Sequence, residues 1–331
     1  MEGIMCLQSY YDYSHDQRVL DFMSKYFRYE LNIPDEQFLP GSWQKLRGGE
    51  NLESVYWLYN RTGESWLLEL AKKIYRQTAD WTSPILTTER DRLWEESSFY
   101  HGVNIAMGLK YPALYYQQTG EKQLLEAVER NYQQLMTAYG QQPGGMFAAD
   151  ENIRPGYNDP RQGAETCTMV EMMFTWETLL KITGETIAAD RVEDIAFNSL
   201  PASMTPDLRG LHYLTAANLI SCDRSGEHDF QNSGTLLSYD PWSYRCCQHN
   251  VAFGWPYFSE HLWLATSDQG VAAVIYAPSI VELKVGQKGQ VVRLIEDTSY
   301  PLSGKITFTV FSEEEVEFPL YLRLPGWAES A

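Results

Sequence analysis

The sequence predicts an α+β protein with more than one domain: an incomplete α/α toroid of helical hairpins, followed by an antiparallel β-sandwich. Two observations carry this prediction. A Thr-Gly-Glu triplet recurs three times in the first two thirds of the chain, each time between two amphipathic helical patterns. Beyond residue 268, the chain consists of short β-type segments separated by Gly, Pro and Ser. We place the toroid domain at residues 1–265 and the sandwich at residues 266–331.

The three triplets occupy residues 62–64, 119–121 and 183–185. Glycine readily adopts the left-handed conformation that ends a helix, so each triplet predicts a turn between two antiparallel helices. Hairpins repeated at such a period stack side by side and bury each other's apolar faces. Three hairpins, with a further helix around residues 15–31, are too few to close a ring. The toroid is therefore expected to be incomplete.

The pattern changes at about residue 205. Residues 210–214 predict a strand, and a cysteine pair opens a short helix near residues 249–263. The segments that follow alternate in hydropathy or are rich in β-branched residues, and they predict strands at 271–276, 280–285, 291–295, 306–311 and 318–324. Both ends of the sequence are abrupt, so we expect a fragment of a larger protein whose sandwich is unfinished.

Charge and composition exclude several classes of partner. The formal net charge is −18, which disfavours nucleic acid and anionic membrane surfaces. No segment approaches the roughly 18 continuous apolar residues of a membrane span, and no signal peptide is visible. The chain has five cysteines without the spacing of a disulfide framework, as is typical of a reducing compartment. These features predict a cytoplasmic protein and leave a homo-oligomer open.

Four residues in two short clusters predict a metal site. Glu165 and Cys167 are two positions apart, so in an extended segment at the start of a helix both side chains reach the same side. The other cluster is Cys246 with Cys247, which can share an ion only across a kinked backbone. One carboxylate and three thiolates complete a tetrahedral shell for zinc. We therefore predict a zinc site made by these four residues.

Other uses of cysteine were weighed against this site. A lone thiol is usually a small buried hydrophobe, which is our interpretation of Cys6 and Cys222. A disulfide between Cys246 and Cys247 is disfavoured because adjacent Cα atoms are only about 3.8 Å apart, below the usual range. The two halves of the quartet are 79 positions apart (246 − 167), which favours a site built by the fold over a small zinc module.

In this setting the chain resembles glycoside hydrolase family 127, the β-L-arabinofuranosidases with a zinc-bound cysteine nucleophile. The resemblance lies in Gly-Gly-Met-Phe at 144–147, Glu-Thr-Cys at 165–167 and Tyr-Arg-Cys-Cys-Gln-His-Asn at 244–250. It implies an arabinose-containing oligosaccharide as substrate and Cys246 as the nucleophile. It also implies that zinc is bound by Glu165, Cys167, Cys246 and Cys247.

Further residues are implied by the same resemblance. The acid/base carboxylate of the family matches Glu151, with the neighbouring Asp150 as the alternative. Asn51 stands where relatives often carry a sugar-binding histidine. Three positions match substrate contacts, although a core or ion-pairing role remains the alternative for each: His101, Glu193 and Tyr213. Members of the family are longer than this chain, so a missing N-terminal third is expected as well.

Three functions are compatible with these expectations. The leading hypothesis is a zinc-dependent retaining glycosidase that acts on β-L-arabinofuranosides or a related pentose unit of plant glycans. The second is a catalytically inactive sugar-binding or scaffold fragment of such an enzyme. The third is a zinc hydrolase that works through a bound water. A Cys/His protease with His249 is disfavoured, because nothing around that histidine would orient it.

Overall fold

The computed structural model describes residues 2–86, 98–140, 142–154, 162–228, 230–231, 235–238 and 246–328. The chain divides into two compact units. The first comprises Met1–Gln141 and Phe147–Gln162, and the second comprises Gln142–Met146 and Gly163–Ala331. The predicted boundary between residues 265 and 266 partitions the chain differently, and it stays a prediction.

The first unit is helical in its described residues. Its core is formed by apolar positions at helical spacing on neighbouring helices, such as Leu52, Leu58, Leu67 and Leu70, which are all 0 % exposed. The helices are α1 (Glu2–Ser14), α2 (Gln17–Asn32), α3 (Ser42–Arg47), α4 (Asn51–Thr62), α5 (Trp66–Gln77), α6 (Gly102–Gly108), α7 (Tyr111–Thr119) and α8 (Lys122–Tyr139).

The helical hairpins turn at the predicted glycines. Gly63, Gly120 and Gly184 follow the last residues of their helices with φ values of 68°, 69° and 70°. Each donates its backbone N–H to the carbonyl four residues earlier, which satisfies one of the unpaired acceptors at the helix end. The hairpin prediction is therefore confirmed, and the helix predicted around residues 15–31 corresponds to α2.

The helices of the second unit carry the predicted cysteines. They are α9 (Thr166–Thr183), α10 (Thr186–Asp194), α11 (Leu200–Ala202) and α12 (Cys246–Glu260), with one turn of π-helix at Ile195–Ser199. Short strands pair in two antiparallel ribbons, one of β1 (Ala164–Glu165) with β3 (Leu214–Thr215), the other of β2 (Leu211–His212) with β4 (Leu237–Ser238).

The helix predicted near residues 249–263 ends three residues earlier in the structure than the sequence predicts. The helix α12 ends at Glu260, and Trp263 begins the strand β5 (Trp263–Ala265). Trp263 pairs with Ala273 of the strand β6 (Val271–Ala273), in antiparallel orientation. This pairing is a tertiary contact, which the local helical pattern does not contain.

The remaining strands form two three-stranded sheets. They are β7 (Ser279–Val285), β8 (Gln290–Thr298), β9 (Ile306–Ser312) and β10 (Leu320–Leu322). One sheet has the antiparallel order β7-β8-β9, and the other has the order β10-β6-β5. The strand β10 is parallel to β6, so the antiparallel expectation is wrong for that pair. The rings of Trp263 and Phe308 meet edge-on at 5.8 Å and join the two sheets.

The α+β fold class is confirmed, with helices followed by mainly antiparallel sheets. Among the described helices, none is both long enough and apolar enough to cross a membrane.

Candidate functional site

The junction of β1 and α9 positions the first cluster. Glu165 is the last residue of β1, with extended φ and ψ of −75° and 139°, and Cys167 lies in the first turn of α9. The turn is anchored by Thr166, whose backbone N–H donates to the Tyr213 carbonyl at 3.1 Å and whose hydroxyl donates to the His212 carbonyl at 2.6 Å. This is the extended segment followed by a helix that the two-residue spacing predicts.

The second cluster opens α12 and reaches the first. The Sγ atoms of Cys167 and Cys247 are 3.3 Å apart, and Oε1 of Glu165 is 3.3 Å from Sγ of Cys246 and 3.5 Å from Sγ of Cys247. One donor atom from each of the four residues lies within 4.8 Å of the others. Tyr244 and Arg245, which precede the pair in the motif, lie outside the described residues. The structure thus brings together all four predicted ligands.

Burial differs between the three thiols. Cys167, Cys247 and Glu165 are 0 % exposed, whereas Cys246 is only half-buried. Burial raises the pKa values of Cys167 and Cys247 well above the usual range. Hydrogen bonds from the thiols of Cys167 and Cys247 lower the pKa of Cys246. Negative charge therefore resides most easily on Cys246, which is also the accessible sulfur of the three.

The chemistry of the donors fits a metal ion. A buried carboxylate beside three sulfur atoms concentrates groups that lose protons, and burial of such charge is costly unless a cation compensates it. Three thiolates and one carboxylate suit a borderline-soft divalent metal in tetrahedral coordination. The donor atoms of the four residues already lie within 4.8 Å of one another, close enough to share one ion.

The candidate acid/base residue lies in the first unit, next to a histidine. Nε2 of His101 and Oε2 of Glu151 are 3.1 Å apart, and their side chains are 15 % and 20 % exposed. The backbone of Gly102 donates to the carbonyl of Glu151 at 2.8 Å, which holds the two segments together. Glu151 has a φ of 119°, a conformation that is costly for a residue with a side chain and that occurs repeatedly at functional sites.

The alternative residue, Asp150, has a different environment. Nη2 of Arg154 lies 2.9 Å from both of its carboxylate oxygens, and Nε2 of Gln162 lies 3.4 Å from one of them. Asp150 is 0 % exposed. Protein groups occupy both oxygens of this buried carboxylate, so Asp150 is poorly placed to contact the leaving oxygen of a substrate. The geometry therefore favours Glu151 of the two.

Two sequence models of glycoside hydrolase family 127 (GH127) match this chain. The model of the beta-L-arabinofuranosidase GH127 catalytic domain matches residues 2–260, and the model of the GH127 middle domain matches residues 270–331. The chain belongs to glycoside hydrolase family 127.

Solved structures resemble the GH127 chain in fold. A GH127 beta-L-arabinofuranosidase from Geobacillus stearothermophilus T6 superimposes with a TM-score of 0.74 at 18% identity, over 99% of this chain and 55% of that one. A second GH127 beta-arabinofuranosidase gives a TM-score of 0.63 at 18% identity, over 98% of this chain and 49% of that one. The chain thus spans about half the length of these two structures. Comparison with curated proteins gives no match.

Tyr213 of the GH127 chain lies beside the cluster of Glu165 and three cysteines. It is 7 % exposed, and its carbonyl oxygen is 3.9 Å from Sγ of Cys247. Its side chain also contributes a hydrogen bond that lowers the pKa of Cys246, after the larger effects of the Cys167 and Cys247 thiols. The predicted contact of Tyr213 with a substrate stays a prediction.

Glu193 of the GH127 chain is engaged by groups of the protein itself. It is 5 % exposed, and it forms an ion pair with Arg323, which follows β10. The backbone N–H of Tyr276 donates to Oε1 of Glu193 at 3.0 Å, and the hydroxyl of Tyr300 donates to Oε2 at 2.5 Å. A substrate contact of Glu193 stays a prediction, and these contacts favour the ion-pairing alternative.

Two residues near His101 were missed by the sequence interpretation. The rings of Trp43 and His101 meet edge-on at 5.3 Å, and the guanidinium of Arg47 lies 4.8 Å from the centre of the Trp43 ring. No local pattern marks a tryptophan 58 positions before a histidine (101 − 43) as its neighbour.

Asn51 donates its side-chain amide to Glu30 at 3.1 Å and is 8 % exposed.

Proposed function

We propose that this GH127 chain is a zinc-dependent retaining glycoside hydrolase that releases β-L-arabinofuranose, or a related pentose unit, from an oligosaccharide of plant glycans. The observation that carries the proposal is the convergence of one carboxylate and three sulfur atoms within 4.8 Å. Family membership supports the same reading, because the matched catalytic model is that of a beta-L-arabinofuranosidase.

Zinc is the metal proposed, because its preferred tetrahedral shell accepts the sulfur and carboxylate donors of this cluster. The residues that would hold it are Glu165, Cys167, Cys246 and Cys247. When bound, zinc would keep the thiol of Cys246 ionised at neutral pH.

The first step of the proposed reaction is attack by the Cys246 sulfur on the anomeric carbon. A carbon–sulfur bond forms while the glycosidic carbon–oxygen bond breaks, and Glu151 gives its proton to the departing oxygen. In the second step the Glu151 carboxylate takes a proton from water, whose oxygen bonds to the anomeric carbon. The electrons of the carbon–sulfur bond return to Cys246. Two displacements at one carbon retain its configuration.

The surroundings of the two residues support these roles. Cys246 combines a lowered pKa with the greatest exposure of the three cluster thiols, so it is the sulfur that a sugar can approach. The carboxylate of Glu151 lies 3.1 Å from the His101 imidazole, which can orient it. Asp150, by contrast, is held by a guanidinium ion.

The test measures zinc content and the hydrolysis of p-nitrophenyl β-L-arabinofuranoside by the chain and by Cys246→Ser. We expect about one zinc per chain, turnover by the original protein, and loss of turnover in Cys246→Ser with the metal retained. Cys222→Ser is the matched control, since Cys222 lies outside the cluster, and it should behave as the original protein.

Two other outcomes would contradict the proposal. Turnover that survives Cys246→Ser would indicate hydrolysis by a metal-bound water. A folded, zinc-loaded original protein that hydrolyses none of these glycosides would instead favour an inactive sugar-binding fragment.

A further inference from the structure

An exposed aromatic ring lies at the start of α3. Trp43 is 45 % exposed although it is one of the largest apolar side chains. Arg47, four residues later on the same helix, places its guanidinium carbon 4.8 Å from the centre of the indole ring. A tryptophan with a cation against it and nearly half of its surface open presents a flat apolar face to the solvent.

The ring is held in place by its neighbours. Nε of Arg47 donates to Oδ1 of Asn104 at 2.7 Å, and the amide of Asn104 donates to the Ser98 carbonyl at 2.7 Å. Asn104 is 0 % exposed, so this support is a buried part of the fold. Because Arg47 is fixed in this way, the indole ring has little freedom to lose when a ligand binds.

The ring adjoins the candidate acid/base residue. It meets the His101 ring edge-on at 5.3 Å, and Nε2 of His101 is 3.1 Å from the Glu151 carboxylate. The His101 and Glu151 side chains are 15 % and 20 % exposed, whereas Trp43 is 45 % exposed. Trp43 is therefore the most exposed residue of this series.

We propose that Trp43, supported by Arg47, is the stacking platform for the sugar on the leaving-group side of the scissile bond. This inference rests on the proposed function, in which Glu151 gives its proton to the leaving oxygen. The most exposed group of the series suits the part of the oligosaccharide that departs into the solvent, because the terminal unit is held where the reacting groups are more enclosed. The ligand is a furanose or pyranose ring whose C–H face covers the indole.

The test compares two substrates with alcohol leaving groups that differ only in the second sugar: methyl β-L-arabinofuranoside and a β-L-arabinofuranosyl disaccharide. In Trp43→Ala, we expect kcat/KM for the disaccharide to fall roughly tenfold, as loss of an aromatic contact predicts. The methyl glycoside should be hydrolysed as by the original protein. Trp43→Phe keeps a smaller ring, so its kcat/KM for the disaccharide should lie between those of the original protein and Trp43→Ala.

The matched control is Trp57→Ala. Arg61 lies four residues after Trp57, and its guanidinium carbon is 3.7 Å from the centre of the Trp57 ring. The ring of Trp57 packs against Tyr11 and not against a histidine. This variant removes an equivalent Trp–Arg pair and should leave both substrates unaffected. Equal losses on both substrates in Trp43→Ala and Trp43→Phe, or no loss in either, would overturn the inference.

A binding measurement separates this inference from the proposed function. Calorimetric titration of Cys246→Ser with the disaccharide should show an affinity that falls roughly tenfold when Trp43→Ala is added. If the original protein hydrolyses neither substrate, the proposed function fails, yet this loss of affinity still upholds the platform. Unchanged affinity overturns the platform whether or not the protein is active.

Discussion

Asp150 and Glu151 are adjacent in the chain, but their carboxylates meet different partners. The guanidinium of Arg154 lies 2.9 Å from both oxygens of Asp150, which is 0 % exposed. Glu151 is 20 % exposed and lies beside the imidazole of His101. A general acid must reach the leaving oxygen to give it a proton, and the side chain of Glu151 is more open to a substrate than that of Asp150.

Glu151→Gln is therefore expected to slow hydrolysis in a way that depends on the leaving group. Loss of a general acid costs about 100-fold or more where the leaving oxygen is basic. For p-nitrophenyl β-L-arabinofuranoside, whose leaving group needs little protonation, the loss in the first step should be far smaller. The measurement is kcat/KM for the methyl and p-nitrophenyl glycosides with each protein.

Asp150→Asn is the matched control for this prediction. It should lower the free energy of unfolding by roughly 3 kcal/mol, because Arg154 loses its buried ionic partner. Urea unfolding measures that loss, and the two glycosides should be affected alike. If Asp150→Asn produces the dependence on leaving group and Glu151→Gln does not, the proton belongs to Asp150.

At the scale of the secondary-structure elements, a buried arginine just after the strand β10 forms ion pairs with the helix α10 of the same unit. Arg323, whose side chain is 1 % exposed, forms ion pairs with Asp190 and Glu193 of α10. Asp190 and Glu193 precede Arg323 by 133 and 130 positions along the chain. A buried guanidinium needs such partners, because removal of one leaves charge without compensation.

Glu193→Gln should accordingly destabilise the fold and spare the chemistry. We expect the free energy of unfolding to fall by roughly 3 kcal/mol, with kcat/KM unchanged at temperatures well below the unfolding transition. Glu185→Gln is the control, since Glu185 is an exposed residue just before the same helix. Reduced kcat/KM with unchanged stability would instead establish the substrate contact that the family resemblance implies for Glu193.

At the scale of the whole molecule, the candidate metal site connects distant parts of the chain. Cys167 and Cys247 are 80 positions apart and lie at the starts of α9 and α12. An ion that binds the folded chain and not the unfolded one stabilises it by about 4 kcal/mol when the free ion exceeds its dissociation constant a thousandfold. Metal binding and folding should therefore be coupled.

Chelation of the metal is expected to lower the melting temperature of the protein. Cys167→Ser should melt at the temperature of the chelated original protein and should no longer respond to the chelator. Cys222→Ser should keep the full response. Differential scanning calorimetry with and without chelator measures all three. An unchanged melting temperature after complete removal of the metal, checked by elemental analysis, would show that the site contributes nothing to folding.

What the sequence predicted correctly is local in origin. The turns at Gly63, Gly120 and Gly184 need a left-handed residue, which glycine supplies wherever it follows a helix. The spacing of Glu165 and Cys167 places two donors on one side of an extended segment. The strand at Trp263 was missed, because its partner Ala273 is chosen by sheet pairing and not by the residues around it.

The amino-acid sequence by itself thus determined the helical hairpins, the succession of helices and strands, and the donor types of the candidate metal site. Only the tertiary structure decided that Glu151 lies beside His101, that Glu193 pairs with Arg323, and that Trp43 lies beside His101. The reason is physical. Backbone conformation and donor chemistry belong to single residues, whereas burial and ion pairing depend on which distant segments the packed core brings into contact.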